Sequence, residues 1–89
     1  MIGICGNEKD SDALVTVNLD VKEKNIEIIS KLEGMFGRLM KQAVISALKE
    51  MEVENAHVKV EDFGALDFVI KARTKTAVRR AKAAAGGTK

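Results

Sequence analysis

The 89-residue chain has no tryptophan, tyrosine or proline, and three phenylalanines supply its only aromatic side chains. The stacking platforms used to hold single-stranded nucleic acid are therefore missing, and a core has to be built from Val, Ile, Leu, Met and Ala. A single cysteine, Cys5, excludes an intrachain disulfide and suits a reducing compartment. No basic cluster flanks it in sequence, so it does not read as an activated nucleophile. The one histidine, His57, cannot make a metal cluster alone. Phosphate-loop and dinucleotide glycine patterns are absent, and no apolar run reaches membrane-spanning length. Met1 to Gly6 is short and soon followed by charge, unlike a signal peptide. These absences predict a cytoplasmic protein with no membrane partner.

What is present fits one small domain. Hydrophobic residues make up 46% of the chain, ordinary for a globular protein, and the formal net charge is only +2. Positive and negative residues are interspersed except from Lys71 to Lys89, which is basic throughout. There is no internal repeat and no low-complexity segment.

Residues 1–12 are small and polar and are expected to form a flexible N-terminal arm. Residues 13–85 are expected to fold as one domain, and 86–89 to be a disordered tail. Leu14 to Leu19 alternates with period two, and Ile26 to Ser30 follows as a second strand, which predicts a hairpin with a loop of several residues. From Gly34 or Met35 to about Met51 the period becomes helical. Phe36, Leu39, Met40, Ala43, Val44, Ala47, Leu48 and Met51 share one apolar face. A third strand runs from Ala56 to about Glu61. After Gly64, where a tight turn calls for a residue free to take positive φ, Leu66, Val69, Ile70, Ala77 and Val78 return to helical spacing, to about Ala84. The predicted fold class is α+β, in the order β-β-α-β-α, with two helices on one face of a small, largely antiparallel three-stranded sheet.

Catalytic constellations are hard to find. The acids Glu50, Glu52, Glu54, Glu61, Asp62 and Asp67 are scattered as on a solvated surface, and His57 stands alone. Arg73, Arg79, Arg80 and Lys82 lie partly on one side of the last helix, within reach of phosphates. Basic residues late in a helix also complement its dipole, and with a small net charge and no stacking residues a nucleic-acid partner is disfavoured. On the arm, Asp10-Ser11-Asp12 places a hydroxyl where a modifying enzyme could draw it into a pocket. Ser11 equally fits a turn serine bonded to its own backbone. Read from the residues alone, the chain is a binding or carrier module.

The run Val58-Lys59-Val60-Glu61-Asp62-Phe63-Gly64-Ala65-Leu66-Asp67-Phe68-Val69-Ile70-Lys71-Ala72-Arg73 closely resembles the C-terminal signature of the acyl carrier (gamma) subunit of citrate lyase. That signature has a strand ending in acids, then Gly-Ala-Leu with an acid, an apolar pair, a basic residue, Ala and Arg. Gly64, Ala65, Leu66, Asp67, Ala72 and Arg73 match it, Arg80-Ala81 is similar further on, and Phe36-Gly37 resembles the family's entry into its first helix.

The resemblance implies a non-catalytic carrier subunit of a lyase complex that converts citrate to oxaloacetate and acetate. It implies a covalently attached 2'-(5''-phosphoribosyl)-3'-dephospho-coenzyme A, joined to a serine through a phosphodiester, whose thiol holds acetyl and citryl groups. The implied partners are the alpha subunit for acyl exchange, the beta subunit for citryl cleavage, and a cofactor-attaching transferase. The family's arm reads Gly, three residues ending in Glu, Ser, then Ser or Gly, then Asp. Gly6 and Asp12 fit that frame, but Asp10 occupies the usual serine position and Ser11 the next. Either Ser11 is the attachment site or this copy carries no group, because Asp10 cannot form the same phosphodiester. A carrier subunit of malonate decarboxylase and a structural or nucleic-acid-binding module are the alternatives. A fatty-acid-type carrier, a helical bundle, does not fit the alternating strands.

Overall fold

The computed structural model describes residues 1–9, 11–30 and 33–84, the side chains of 33–35 excepted. The elements run β1 (Ile2–Gly6), β2 (Ala13–Asn18), β3 (Lys24–Ile29), α1 (Glu33–Glu50), β4 (Ala56–Asp62) and α2 (Asp67–Ala84). The α+β class and both helices are as expected. Position 10 and the expected tail at 86–89 lie outside the described residues.

Among the described residues the sheet has four strands rather than three, in the order β1-β2-β4-β3. The added strand lies in the stretch read as an arm, and the reason it went unread is physical. On β1 the core-facing positions are Gly3 and Cys5, while Ile2 and Ile4 face outward and are half exposed. A Cβ on Gly3 would sit 1.9 Å from the Ala77 carbonyl oxygen and 2.4 Å from the Ala81 nitrogen. Glycine there marks the close approach of α2 to the strand, not a loop.

The expected hairpin between β2 and β3 does not form, because β4 lies between them. β1–β2 and β2–β4 are antiparallel, and β3–β4 is parallel. Parallel neighbours need a crossover, and α1 supplies it between β3 and β4. Period-two alternation identifies a strand but not its neighbour, and proximity in sequence pointed to the wrong one. Burial explains the order. β4 buries Ala56, Val58, Val60 and Asp62 in strict alternation, as a central strand does, whereas β3 buries only Ile28 and takes an edge.

Ala13, Val15 and Val17 of β2, Val58 and Val60 of β4, and Ile28 of β3 all point to one face and join one core. Met40, Ala43, Val44 and Leu48 of α1 and Ile70, Ala77, Val78 and Ala81 of α2 cover that face, so both helices lie on the same side. The first turns of each helix depart from the expected apolar faces. Phe36 and Leu39 of α1 are 41% and 50% exposed, and Leu66 just before α2 is 61% exposed. Inside α2 the buried Thr74 hydroxyl donates to the Ile70 carbonyl at 2.7 Å, which satisfies it without a tertiary partner.

α1 ends in a C-terminal cap. Val53 N–H donates to the Leu48 carbonyl and Glu52 N–H to the Lys49 carbonyl, with Glu52 in the left-handed region at φ 57°. That pairing is the Schellman arrangement, in which glycine usually takes the left-handed position.

Candidate functional site

The loop from Asn7 to Asp12 joins β1 to β2, and side chains shape it. Asn7 Oδ1 accepts the Lys9 N–H at 2.9 Å, and the Lys9 carbonyl accepts the Asp12 N–H at 3.1 Å. Asn7 Nδ2 donates to Asp12 Oδ2 at 2.7 Å, and the Ala13 N–H donates to Asp12 Oδ1 at 2.7 Å. Asn7 and Asp12 thus serve the backbone of this turn. Among the described residues the Ser11 hydroxyl has no hydrogen-bond partner, and the residue is exposed. Asp10, at the usual serine position, lies outside the described residues.

Ser11 is also tied to the far end of the chain. Its N–H donates to the Phe63 carbonyl at 2.7 Å, and the Phe63 N–H returns to the Asp12 carbonyl at 2.9 Å. These bonds extend the β2–β4 ladder by one step beyond Ala13 and Asp62. Ser11 leaves the ladder with φ 67°, a left-handed conformation uncommon for a residue with a side chain. Gly64 sits directly alongside: a Cβ on it would be 3.6 Å from the Ser11 nitrogen. Its own φ is 102°, the positive value expected at this turn.

Asp62 makes the Gly64 turn. Its carboxylate is nearly buried, and Oδ1 accepts the N–H groups of Gly64 at 3.2 Å and Ala65 at 2.8 Å. Its Oδ2 accepts the Ser30 hydroxyl at 2.8 Å, fastening the end of β3 to the same corner. Leu66 then leads into α2, its carbonyl accepting the N–H groups of Val69 and Ile70. The stretch that turns this corner into α2 carries exposed apolar side chains: Phe63 at 36%, Leu66 at 61% and Phe68 at 65%.

Arg73 completes the site from the second turn of α2. Its Nε and terminal nitrogen grip Asp12 Oδ1 and Oδ2 at 3.1 and 2.8 Å, a two-pronged pair across 61 residues of chain. Its other terminal nitrogen lies 3.8 Å from Cys5 Sγ, so the buried thiol has a basic neighbour that sequence proximity does not reveal. The Asp12 carboxyl is held below its ordinary value of 3.8, first by the Ala13 N–H and then by Arg73. Arg73 is correspondingly raised by Asp12.

Most of the basic stretch is occupied within the chain. Lys71 and Lys75 both pair with Glu50, Lys82 donates to the Met51 carbonyl, and Arg80 donates to the Ile4 carbonyl at 2.7 Å. The Arg80 bond covers a polar group on edge strand β1, where unpaired backbone invites other strands. Arg79 alone of the four cations considered for phosphate contact is without a partner among the described residues. His57 lies 3.6 Å from Glu27 on the uncovered sheet face. Among the described residues no three His, Cys, Asp or Glu side chains stand close enough to hold a metal. No helix among them is long and apolar enough to cross a membrane.

Two motif fragments therefore meet at one corner: Gly6 to Asp12, and Phe63 to Arg73. A family described as Malonate decarboxylase delta subunit (MdcD), an acyl carrier protein type, matches residues 2–81. The chain belongs to this acyl carrier family. It is 43% identical over 81 residues to the citrate lyase acyl carrier protein of Fusobacterium nucleatum, covering 90% of this chain and 86% of that one. It is 42% identical over 79 residues to the protein of that name from Streptococcus mutans, covering 88% and 78%. With that of Halothermothrix orenii it shares 38% over 76 residues, covering 85% and 81%. Membership makes this chain a carrier and not a catalyst.

Proposed function

We propose that this protein is the acyl carrier subunit of citrate lyase and that Ser11 carries its prosthetic group, 2'-(5''-phosphoribosyl)-3'-dephospho-coenzyme A. The observation that carries this reading is the state of the Ser11 hydroxyl. Of the three serines, Ser30 is bonded to Asp62 and Ser46 is half-buried within α1, whereas Ser11 is exposed on a loop whose backbone bonds are served by Asn7 and Asp12. That arrangement favours an acceptor over a turn serine.

The site fits a single covalent link. When bound, the group supplies a thiol on a long arm, which holds acyl chains as thioesters and raises their effective concentration at each partner site in turn. The chain's own residues do something simpler. Ser11 offers the ester oxygen, and the Phe63 carbonyl and Asp12 hold its backbone in place. The exposed Phe63, Leu66 and Phe68 follow the corner in sequence and offer apolar surface of the kind used in contact with another protein. The partners are the alpha and beta subunits and the attaching transferase, in the cytoplasm. Charge on Arg79 is available for steering them.

The family description favours one second reading, the carrier subunit of malonate decarboxylase. The curated relatives' names favour citrate lyase. Co-expression with the attaching transferase followed by intact-mass measurement tests the proposal. One nucleotide-thiol adduct is expected on the wild-type chain and none on Ser11→Ala. Binding to citrate lyase subunits rather than those of malonate decarboxylase, measured on the loaded protein, separates the two readings.

A further inference from the structure

We infer that Arg73 is a positioning residue for modification of Ser11, acting through Asp12 to hold the acceptor hydroxyl in its presented orientation. The inference rests on the Ser11 reading and goes beyond it, by assigning a role in loading to a helix residue that offers the group no bond.

The chain of contacts is short and each link is directional. Arg73 grips both oxygens of the Asp12 carboxylate. The same two oxygens accept the Ala13 N–H and the Asn7 side-chain amide, so the loop on both sides of Ser11 is fastened to one carboxylate. The Asp12 carbonyl accepts the Phe63 N–H, and the Phe63 carbonyl accepts the Ser11 N–H. Ser11 is thereby over-determined in a conformation it would rarely choose, φ 67°. Such strain persists only where the surroundings impose it. Its result is that the chain leaves the ladder at Ser11 and the side chain stands exposed. A guanidinium suits this task because its fork engages both carboxylate oxygens at once, which a lysine cannot reproduce. Arg73 is itself held: its remaining terminal nitrogen meets the Cys5 thiol, and α2 is anchored on either side by the buried Ile70 and Thr74.

In the loading step, Ser11 Oγ forms a bond to the phosphorus that is esterified to the ribose of the nucleotide in a phosphoanhydride donor, so that the outer phosphate is the leaving group. The donor's P–O bond breaks, its leaving phosphate takes the electron pair, and the hydroxyl proton passes to a base of the transferase. Arg73 and Asp12 touch none of the reacting atoms. They fix where the oxygen stands, and misplacement by about 1 Å can cost two orders of magnitude in rate.

The test is the rate of adduct formation on the full-length chain with purified transferase and donor, followed by intact mass at varied carrier concentration. Arg73→Gln is expected to lower kcat about tenfold, with KM changed less than about twofold, and Arg73→Lys to recover only part of the loss. Amide exchange at Ser11 and Phe63 should quicken in Arg73→Gln, while core amides such as Val58 stay protected. Lys75→Gln, two residues further along α2 and paired with Glu50, should load at the wild-type rate. Wild-type kcat in Arg73→Gln, or loss explained wholly by an unfolded fraction seen across all amides, would overturn the inference and leave the Ser11 reading standing. Absence of any adduct on Ser11 of the wild-type chain would overturn both.

Discussion

The sheet–helix core and the Ser11 corner are built on opposite physical terms. The core is a set of fully buried aliphatic side chains, Val15, Val17, Val44, Leu48, Val58, Val60, Ile70 and Val78, without a charge among them. It is held by volume and burial, and its energy does not depend on pH. The corner is exposed, strained at Ser11, and held by Asn7, Asp12, Asp62 and Arg73 through directed polar bonds. The core therefore sets whether the chain folds, and the corner sets where one hydroxyl stands. A carrier needs both, and they should be separable by mutation.

The largest expected effect belongs to the junction of the two. Gly3→Val drives a side chain into the backbone of α2 at Ala77 and Ala81, and β1 has to detach. A loss of about 3 kcal/mol or more is expected, read as a lowered denaturation midpoint, and loading of Ser11 should fall with it. Leu48→Ala comes next. It empties a fully buried site and should cost about 3 kcal/mol, yet the fraction that stays folded should load at the wild-type rate. Slower loading of that folded fraction would blur the distinction drawn between core and corner.

Asp12→Asn should do the reverse, with slow loading and, at neutral pH, a fall in melting temperature smaller than that of Leu48→Ala. Its acid behaviour has a definite sign. The folded chain binds a proton at Asp12 less readily than the unfolded chain, whose value is near 3.8. The ionised group's contribution is therefore complete above that value and is lost as pH falls through the lower folded value. The stability gap between wild type and Asp12→Asn should narrow below about pH 4 and be flat above about pH 5, as followed by thermal melts across pH. Glu50, lowered first by Lys71 and then by Lys75, adds to the same acid limb.

The smallest effect is a gain. Glu52 occupies the left-handed cap of α1 with a side chain, so Glu52→Gly should stabilise the fold by about 0.5–1 kcal/mol without touching loading. Chemical denaturation and the adduct assay on the same protein check both halves of that statement.

The legible parts of the fold were those with a strong local period. α1, α2, β2 and β4 follow from spacing, because one face of each is apolar and the other is not. β1 was hidden because its core side is Gly3 and Cys5, small residues chosen by the nearness of α2, which local pattern cannot report. The neighbour of β3 was misassigned for a related reason: pairing is decided by which strand must be central. Phe36, Leu39 and Leu66 have helical spacing toward the core yet lie beyond its end, since periodicity gives direction but not reach. At the corner, Ser11 and Gly64 were each singled out by residue type. Their contact, and the bond from Asp12 to Arg73, were not legible, because nothing in either stretch names a partner 61 residues away. The family resemblance held both fragments, Gly6 to Asp12 and Gly64 to Arg73, as separate marks. In the structure they meet at one corner.

The most direct test of the account is peptide mapping of the protein co-expressed with the cofactor-attaching transferase. The account predicts one nucleotide-thiol adduct per chain, on the peptide bearing Ser11, absent from Ser11→Ala. An unmodified chain under conditions that load a related carrier, or an adduct on a peptide bearing Ser30 or Ser46, would contradict it.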